Sequence, residues 1–152
     1  AVHGAVGLPA PETLKASVGI DDGFLGSGAI SYAGPGCVAR AELAAAIIRE
    51  RWAQLYMRDP ATLHVTYIGQ NSSTPWRTLT VTADAEPPEV RLRVATQSLE
   101  RQVAVDLVHE VEALYTNGPT GGGGVETSVR ETVGMLSILV ERDLVRPRVV
   151  LF

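Results

Sequence analysis

The chain is poor in residues that staple, anchor or react. It holds one cysteine, Cys37, so no internal disulfide framework can form, and a reducing, cytoplasmic compartment is the expectation. It holds one lysine, Lys15, among thirteen basic residues. The remaining arginines suit bidentate ion pairs and anion recognition, with genomic base composition as the blander cause. No apolar run approaches the ~20 residues of a membrane span, so no membrane partner is expected. The formal charge of −4 argues against a nucleic-acid binder, whose footprint would be a basic stripe. The opening Ala1-Val-His-Gly lacks the basic-then-apolar pattern of a signal peptide. It also lacks Met, so the chain is expected to be processed, trimmed or joined to something upstream. There is no nucleophile–base set, no metal cluster, and neither the phosphate-loop nor the dinucleotide fingerprint.

What is present fills a core. The 152 residues are 45% hydrophobic and 20% charged, which favours one domain over 1–152 with an extended lead-in over 1–13. Leu14, Ala16, Val18 and Ile20 alternate with small or polar residues, a half-buried strand pattern. Asp21-Asp22-Gly23 is turn chemistry, and Phe24–Ala33 resumes an extended pattern loosened by Gly26 and Gly28. After Gly34-Pro35-Gly36, the spacing predicts a helix over 38–55. Its apolar positions are Leu43, Ile47, Ile48, Trp52 and Leu55, with alanines small enough to let it lie close to a sheet.

Leu63, Val65 and Tyr67 give a second strand, Thr78–Thr82 a short optional one, and Val90, Leu92 and Val94 a third that projects Arg91 and Arg93 on one face. Those two arginines are read as exposed, with a carboxylate or phosphate grip as the sharper alternative. Ser98 can cap a helix over 99–116, with Val103, Leu107, Val111 and Leu114 inward and Asn117-Gly118 as a left-handed end. The apolar centre of 129–140 reads as a central strand covered on both faces, and Val149–Phe152 as a last edge strand. The order from Phe24 to Val140 is β-α-β-β-α-β. The expected fold is therefore α+β, a ferredoxin-like split sandwich with extra edge strands and both helices on one face.

Two glycine-rich turns stand out. Gly34-Pro35-Gly36 lies between a strand and a helix start, where free N–H groups and the positive helix end favour an anion. Gly121, Gly122, Gly123 and Gly124 follow a helix C-terminus, of opposite polarity. They fit close packing, a flap, or a neutral part of a ligand. Cys37 falls in the first helical turn, where a thiolate is stabilised, but no general base accompanies it. His109 with Glu112 makes half a metal site at best and reads, with Glu110, as a wet helix face.

Two segments carry a resemblance. Ile30-Ser-Tyr-Ala-Gly-Pro-Gly36 and the run Glu112-Ala-Leu-Tyr-Thr-Asn-Gly-Pro119, Gly121–Gly124 and Ser128-Val-Arg-Glu131 resemble the acyclic terpene utilisation proteins of the AtuA family. The likeness spans the chain from about Leu14 and implies the C-terminal part of that family's large conserved domain. There it follows a longer α/β portion and is sometimes followed by a small extra domain. Where the family often has Ala after Gly-Pro-Gly, this chain has Cys37.

The resemblance implies catabolism of acyclic terpenes and related branched acids carried as coenzyme A thioesters. The expectation is a small subunit of a split enzyme, of lyase or hydratase type and not catalytic alone. It would pair with a larger α/β subunit as a hetero-oligomer and complete a site for a carboxylate or acyl-thioester substrate. Gly34, Gly36, Asn117, Gly121, Gly122, Gly123 and Gly124 would line the junction, and Arg130 would meet a carboxylate. No cofactor and no metal are expected, and catalytic residues are unassigned. A scaffolding or oligomerisation subunit and a stand-alone ligand-binding module are the alternatives.

Overall fold

The computed structural model describes residues 1, 3–70, 72–73 and 86–151. The elements are β1 (Thr13–Ala33), α1 (Cys37–Tyr56), β2 (His64–Ile68), β3 (Glu89–Ser98), α2 (Arg101–Asn117) and β4 (Gly122–Glu141), with 3-10 turns at Pro60–Thr62 and Arg142–Leu144. The optional strand at Thr78–Thr82 lies outside the described residues. The strands form one sheet in the order β2-β3-β1-β4, and β3 runs antiparallel to both β1 and β2. Two interleaved β-α-β halves in this order are the ferredoxin-like α+β arrangement. The chain divides into two compact units, residues 22–132 and residues 1–21 with 133–152.

In the larger unit, period-two alternation sorts each strand into two faces. Ile30 and Tyr32 of β1, and Val90, Leu92 and Val94 of β3, are buried in one core with both helices. The register joins them directly, Ile30 opposite Leu92 and Tyr32 opposite Val90. From α1 come Cys37, Ala41, Ala44, Ala45, Ile48 and Trp52; from α2 come Leu107, Val111 and Leu114. The expected helix stripe is therefore shifted, because Leu43 and Leu55 are 54% and 59% exposed. Ala41, Ala44 and Ala45 form the first part of the inner face, and Ile48 and Trp52 fill the core further along the helix.

Gly26 and Gly28 do more than loosen a strand. A Cβ on Gly26 would stand 2.5 Å from the Ala104 carbonyl oxygen, and one on Gly28 2.6 Å from Val111 Cβ. Both glycines let α2 approach β1. The end of α2 differs from the expected left-handed cap: Gly118 is extended at φ −89° and donates its N–H to Leu114 O. At its start Ser98 Oγ accepts from Glu100 N, before the first helical residue, Arg101.

Residues 13–33 form a single strand. Asp21-Asp22-Gly23 does not turn the chain; Gly23 absorbs a φ of +77° with the Ser98 carbonyl so close that a Cβ would sit 2.4 Å from it. Strand structure thus runs through residues whose local chemistry favours a turn.

In the smaller unit, Arg142 N donates to Glu12 O and Arg142 Nε to Pro11 O, which ties the start of β1 to the end of β4. Gly19 faces Val133, whose Cγ1 would lie 3.2 Å from an added Cβ. The expectation of a covered central strand fails here. β4 is the last strand of the sheet, and Val133, Met135 and Leu139 are 71%, 66% and 72% exposed. An apolar run marks the need for cover, and the sheet itself does not supply it. Residues 149–151 form no strand either.

Candidate anion-binding face

The helices cover one side of the sheet, and the other side carries the polar set. On β3, Arg91 and Arg93 alternate with the buried Val90, Leu92 and Val94, so both point away from the core. On β4, Glu126, Ser128 and Arg130 are exposed while Val125, Thr127 and Val129 are half-buried. Between them runs β1, whose Ser27, Ala29 and Ser31 on this face are small, with Leu25 at one end. Tall side chains on β3 and β4 with short ones between make a trough of about 320 Å³. Leu25, Ser27, Ala29, Ile68, Arg91, Arg93, Glu126, Thr127, Ser128 and Arg130 line it.

The arginines are positioned unequally. Arg91 donates to Ser31 Oγ at 3.2 Å, to Gly124 O at 2.9 Å and to Glu126 at 3.1 Å. Glu126 is 83% exposed, so this pair is solvent-screened and weak. Arg93 donates from Nε to Ser27 Oγ at 3.2 Å, which fixes its root and leaves its two terminal nitrogens to the trough. Among the described residues, neither Arg93 nor Arg130 has a carboxylate in salt-bridge contact. Three guanidinium groups face one carboxylate, an excess of two positive charges. Such forks match carboxylate and phosphate oxygens in pairs.

The glycine sites lie elsewhere. Gly34 and Gly36 both adopt φ +76°, and the first turn of α1 is already occupied. The Glu86 carboxylate accepts from Gly36 N at 2.9 Å and from Val38 N at 3.1 Å. Those two backbone hydrogen bonds hold the Glu86 carboxyl below the usual range. The anion position read from sequence is thus filled by the chain's own side chain. Cys37 follows from the same contact. Its buried thiol donates to Pro87 O at 3.1 Å, and burial first, then the Glu86 charge, push its pKa up. The helix start does not yield a thiolate here.

Gly122 packs against Ile30 and Tyr32, with 2.8 Å and 3.1 Å left for a Cβ, so part of the glycine run serves close packing. Gly121 and Gly124 hold left-handed angles, and Gly124 meets the trough through its carbonyl on Arg91. Asn117 lies at the end of α2 beside a separate cavity of about 220 Å³ lined with Ile47, Arg51, Glu110, Ala113 and Leu114. Of the residues singled out in the sequence, the trough gathers Arg130 and, through Arg91, Gly124; it does not include Gly34, Gly36, Asn117 or Gly121–Gly123. Among the polar trough residues, Ser27, Glu126 and Thr127 have no place in the sequence reading, and Ser128 enters it only within the run Ser128–Glu131. The shared outward phase of 27, 91, 93, 126, 128 and 130 was the available signal.

Glu110 is not on a wet face. It is 5% exposed, accepts from Arg51 at 2.5 Å and 3.1 Å, and accepts from Tyr56 Oη at 2.9 Å. Burial first, then the Glu110 hydrogen bond, push the Tyr56 hydroxyl to about 12. Its neighbours His109 and Glu112 are exposed, and among the described residues no three metal-ligating side chains cluster. Among those residues too, no helix is long and apolar enough to cross a membrane.

No curated protein and no solved structure matches the chain. The sequence model of the acyclic terpene utilisation family protein AtuA matches residues 1–151. With a match of that extent, the chain belongs to the AtuA family.

Proposed function

We propose that this chain is the small, non-catalytic half of an AtuA-family enzyme. Its open sheet face seats the anionic group of a carboxylate or acyl-thioester substrate. A coenzyme A thioester carries phosphates and fits the same chemistry. The observation that carries this reading is the pair Arg93 and Arg130, set over a trough floored by Ser27 and Ala29, with no carboxylate in salt-bridge contact among the described residues. The trough has no nucleophile–base set, so the reacting groups come from a larger α/β subunit that closes over it. That subunit would be the chain's partner in a hetero-oligomer, and the reaction is of lyase or hydratase type.

The test is to purify the chain alone and with its neighbouring gene product, then titrate each with branched acyl-coenzyme A. Arg93→Ala and Arg130→Ala should each weaken binding about tenfold, as expected for about 1.4 kcal/mol from one charge-assisted contact. Unchanged affinity in both variants would reject the trough as the seat. A scaffolding role is the second reading, favoured by the bare apolar residues of β4; it predicts lost assembly with no effect of either arginine on ligand.

A further inference from the structure

We infer that Tyr32 and Arg40 form a second binding site, one that takes the carbonyl oxygen of an uncharged ester, thioester or amide. The site is on the helix side of the sheet, so it is independent of the trough. Among the described residues, Tyr32 Oη and Arg40 Nε are buried polar side-chain atoms with no hydrogen-bond partner. Tyr32 as a whole is 0% exposed. Buried polar groups are nearly always paired, and one left unpaired destabilises the fold. The two atoms share one neighbourhood. Arg40 donates from Nη2 to the carbonyl of Ala33, the residue after Tyr32 in β1. Burial pushes the Tyr32 hydroxyl's pKa up and the Arg40 charge pulls against it, so the two groups are in electrostatic reach.

The class of ligand follows from the donors. Arg40 Nε–H and the Tyr32 hydroxyl both donate, so what joins them is an acceptor oxygen. A charged oxygen is disfavoured. Glu86 already sits close to Arg40: its carboxyl is held down by its bonds to Gly36 N and Val38 N, and in lesser part by the Arg40 charge. α2 ends at Asn117, and a helix C-terminus is a negative end. A neutral carbonyl oxygen satisfies both donors without adding a second anion. The cover over the hydroxyl is backbone. A Cβ on Gly122 would stand 3.1 Å from Tyr32 Cε1 and 3.4 Å from Tyr32 Cζ, so Gly122 lies against the hydroxyl end of the ring. Nothing lies within 4 Å of an added Cβ at Gly121 or Gly123. Glycine at 122 therefore keeps the approach to the hydroxyl free of any side chain.

The experiment is nuclear magnetic resonance of the labelled full chain during titration with S-acetyl-N-acetylcysteamine, a neutral thioester, and with acetate as the charged control. The expected result is that the Tyr32 Cζ and Arg40 Nε signals shift and saturate with the thioester and stay fixed with acetate. Tyr32→Phe should raise the unfolding midpoint of the free chain, because it removes an unpaired hydroxyl, and weaken thioester binding about tenfold. Signals that do not move with the thioester overturn the inference. So does an equal response to acetate, because the ligand class is then wrong. A lowered midpoint in Tyr32→Phe also overturns it, since the hydroxyl then has a partner within the fold. None of these results bears on Arg93 and Arg130, which report on the trough separately.

Discussion

Gly26→Ala should destabilise the fold more than a single methyl group suggests. The added Cβ would lie 2.5 Å from Ala104 O, 2.8 Å from Ala104 Cα and 3.0 Å from Ala104 C, all backbone atoms of α2. Ordinary contact begins near 3.4 Å, so about 0.9 Å must be found by moving the helix. Side-chain rotation cannot supply it. α2 cannot retreat freely either, because Leu107, Val111 and Leu114 are packed in the core on the same helix.

Overpacking of this kind costs about 1–3 kcal/mol. Replacing glycine also narrows the unfolded ensemble, which offsets about 0.4–1 kcal/mol. The net expectation is a loss of about 1–2 kcal/mol. Urea unfolding followed by far-ultraviolet circular dichroism measures it, and the midpoint should fall while the slope stays constant. Gly123→Ala serves as the reference, since nothing lies within 4 Å of its added Cβ. Equal stability of the two variants, or a more stable Gly26→Ala, would refute the argument that glycine sits at 26 for helix–sheet approach.

Glu110→Gln should cost about 1–3 kcal/mol in the same assay, because it removes the charge from a bidentate contact to Arg51 at a 5% exposed site. Arg51 is 47% exposed and rehydrates, which keeps the loss below the larger values of fully buried pairs. The raised Tyr56 pKa means the fold holds that proton more tightly than the open chain. Its contribution is complete below pH 10 and is lost as pH rises toward about 12, so Tyr56→Phe should flatten that limb of the stability profile. The lowered Glu86 carboxyl has the opposite sign: its stabilisation is present above about pH 4.5 and declines as pH falls. Glu86→Gln should speed alkylation of Cys37 at fixed pH, because a negative charge beside the thiol is gone; an unchanged rate would count against the contact.

Periodicity made most of the fold legible. The buried phase of β3, the inward stripe of α2 and the order of elements all follow from spacing that survives in the structure. The misreadings share one cause, the use of local composition where a distant contact decides. Asp21-Asp22-Gly23 has turn residues, yet β1 runs through it, with Thr132 Oγ1 donating to Asp22 O from β4. The 133–140 run is apolar enough for a sheet centre, yet strand order puts it at an edge. Glu110 sits one residue from the apolar stripe and is buried only because Arg51 and Tyr56, 59 and 54 positions away, reach it. The Gly36 turn offers backbone N–H groups to an anion, but Glu86, fifty residues on, takes that place where a ligand was expected. The trough required the relative phase of three strands, which single-strand patterns do not reveal until the register is known.

The central claim, an anion seat on the open sheet face, is tested most directly by nuclear magnetic resonance of arginine side chains during titration with succinate and with inorganic phosphate. Shifts of the Arg93 and Arg130 guanidinium signals that saturate, and that weaken as added salt screens the charges, are the predicted result. Signals that stay fixed at those two residues, while the Gly36 and Val38 amides move, would contradict it and return the anion site to the start of α1.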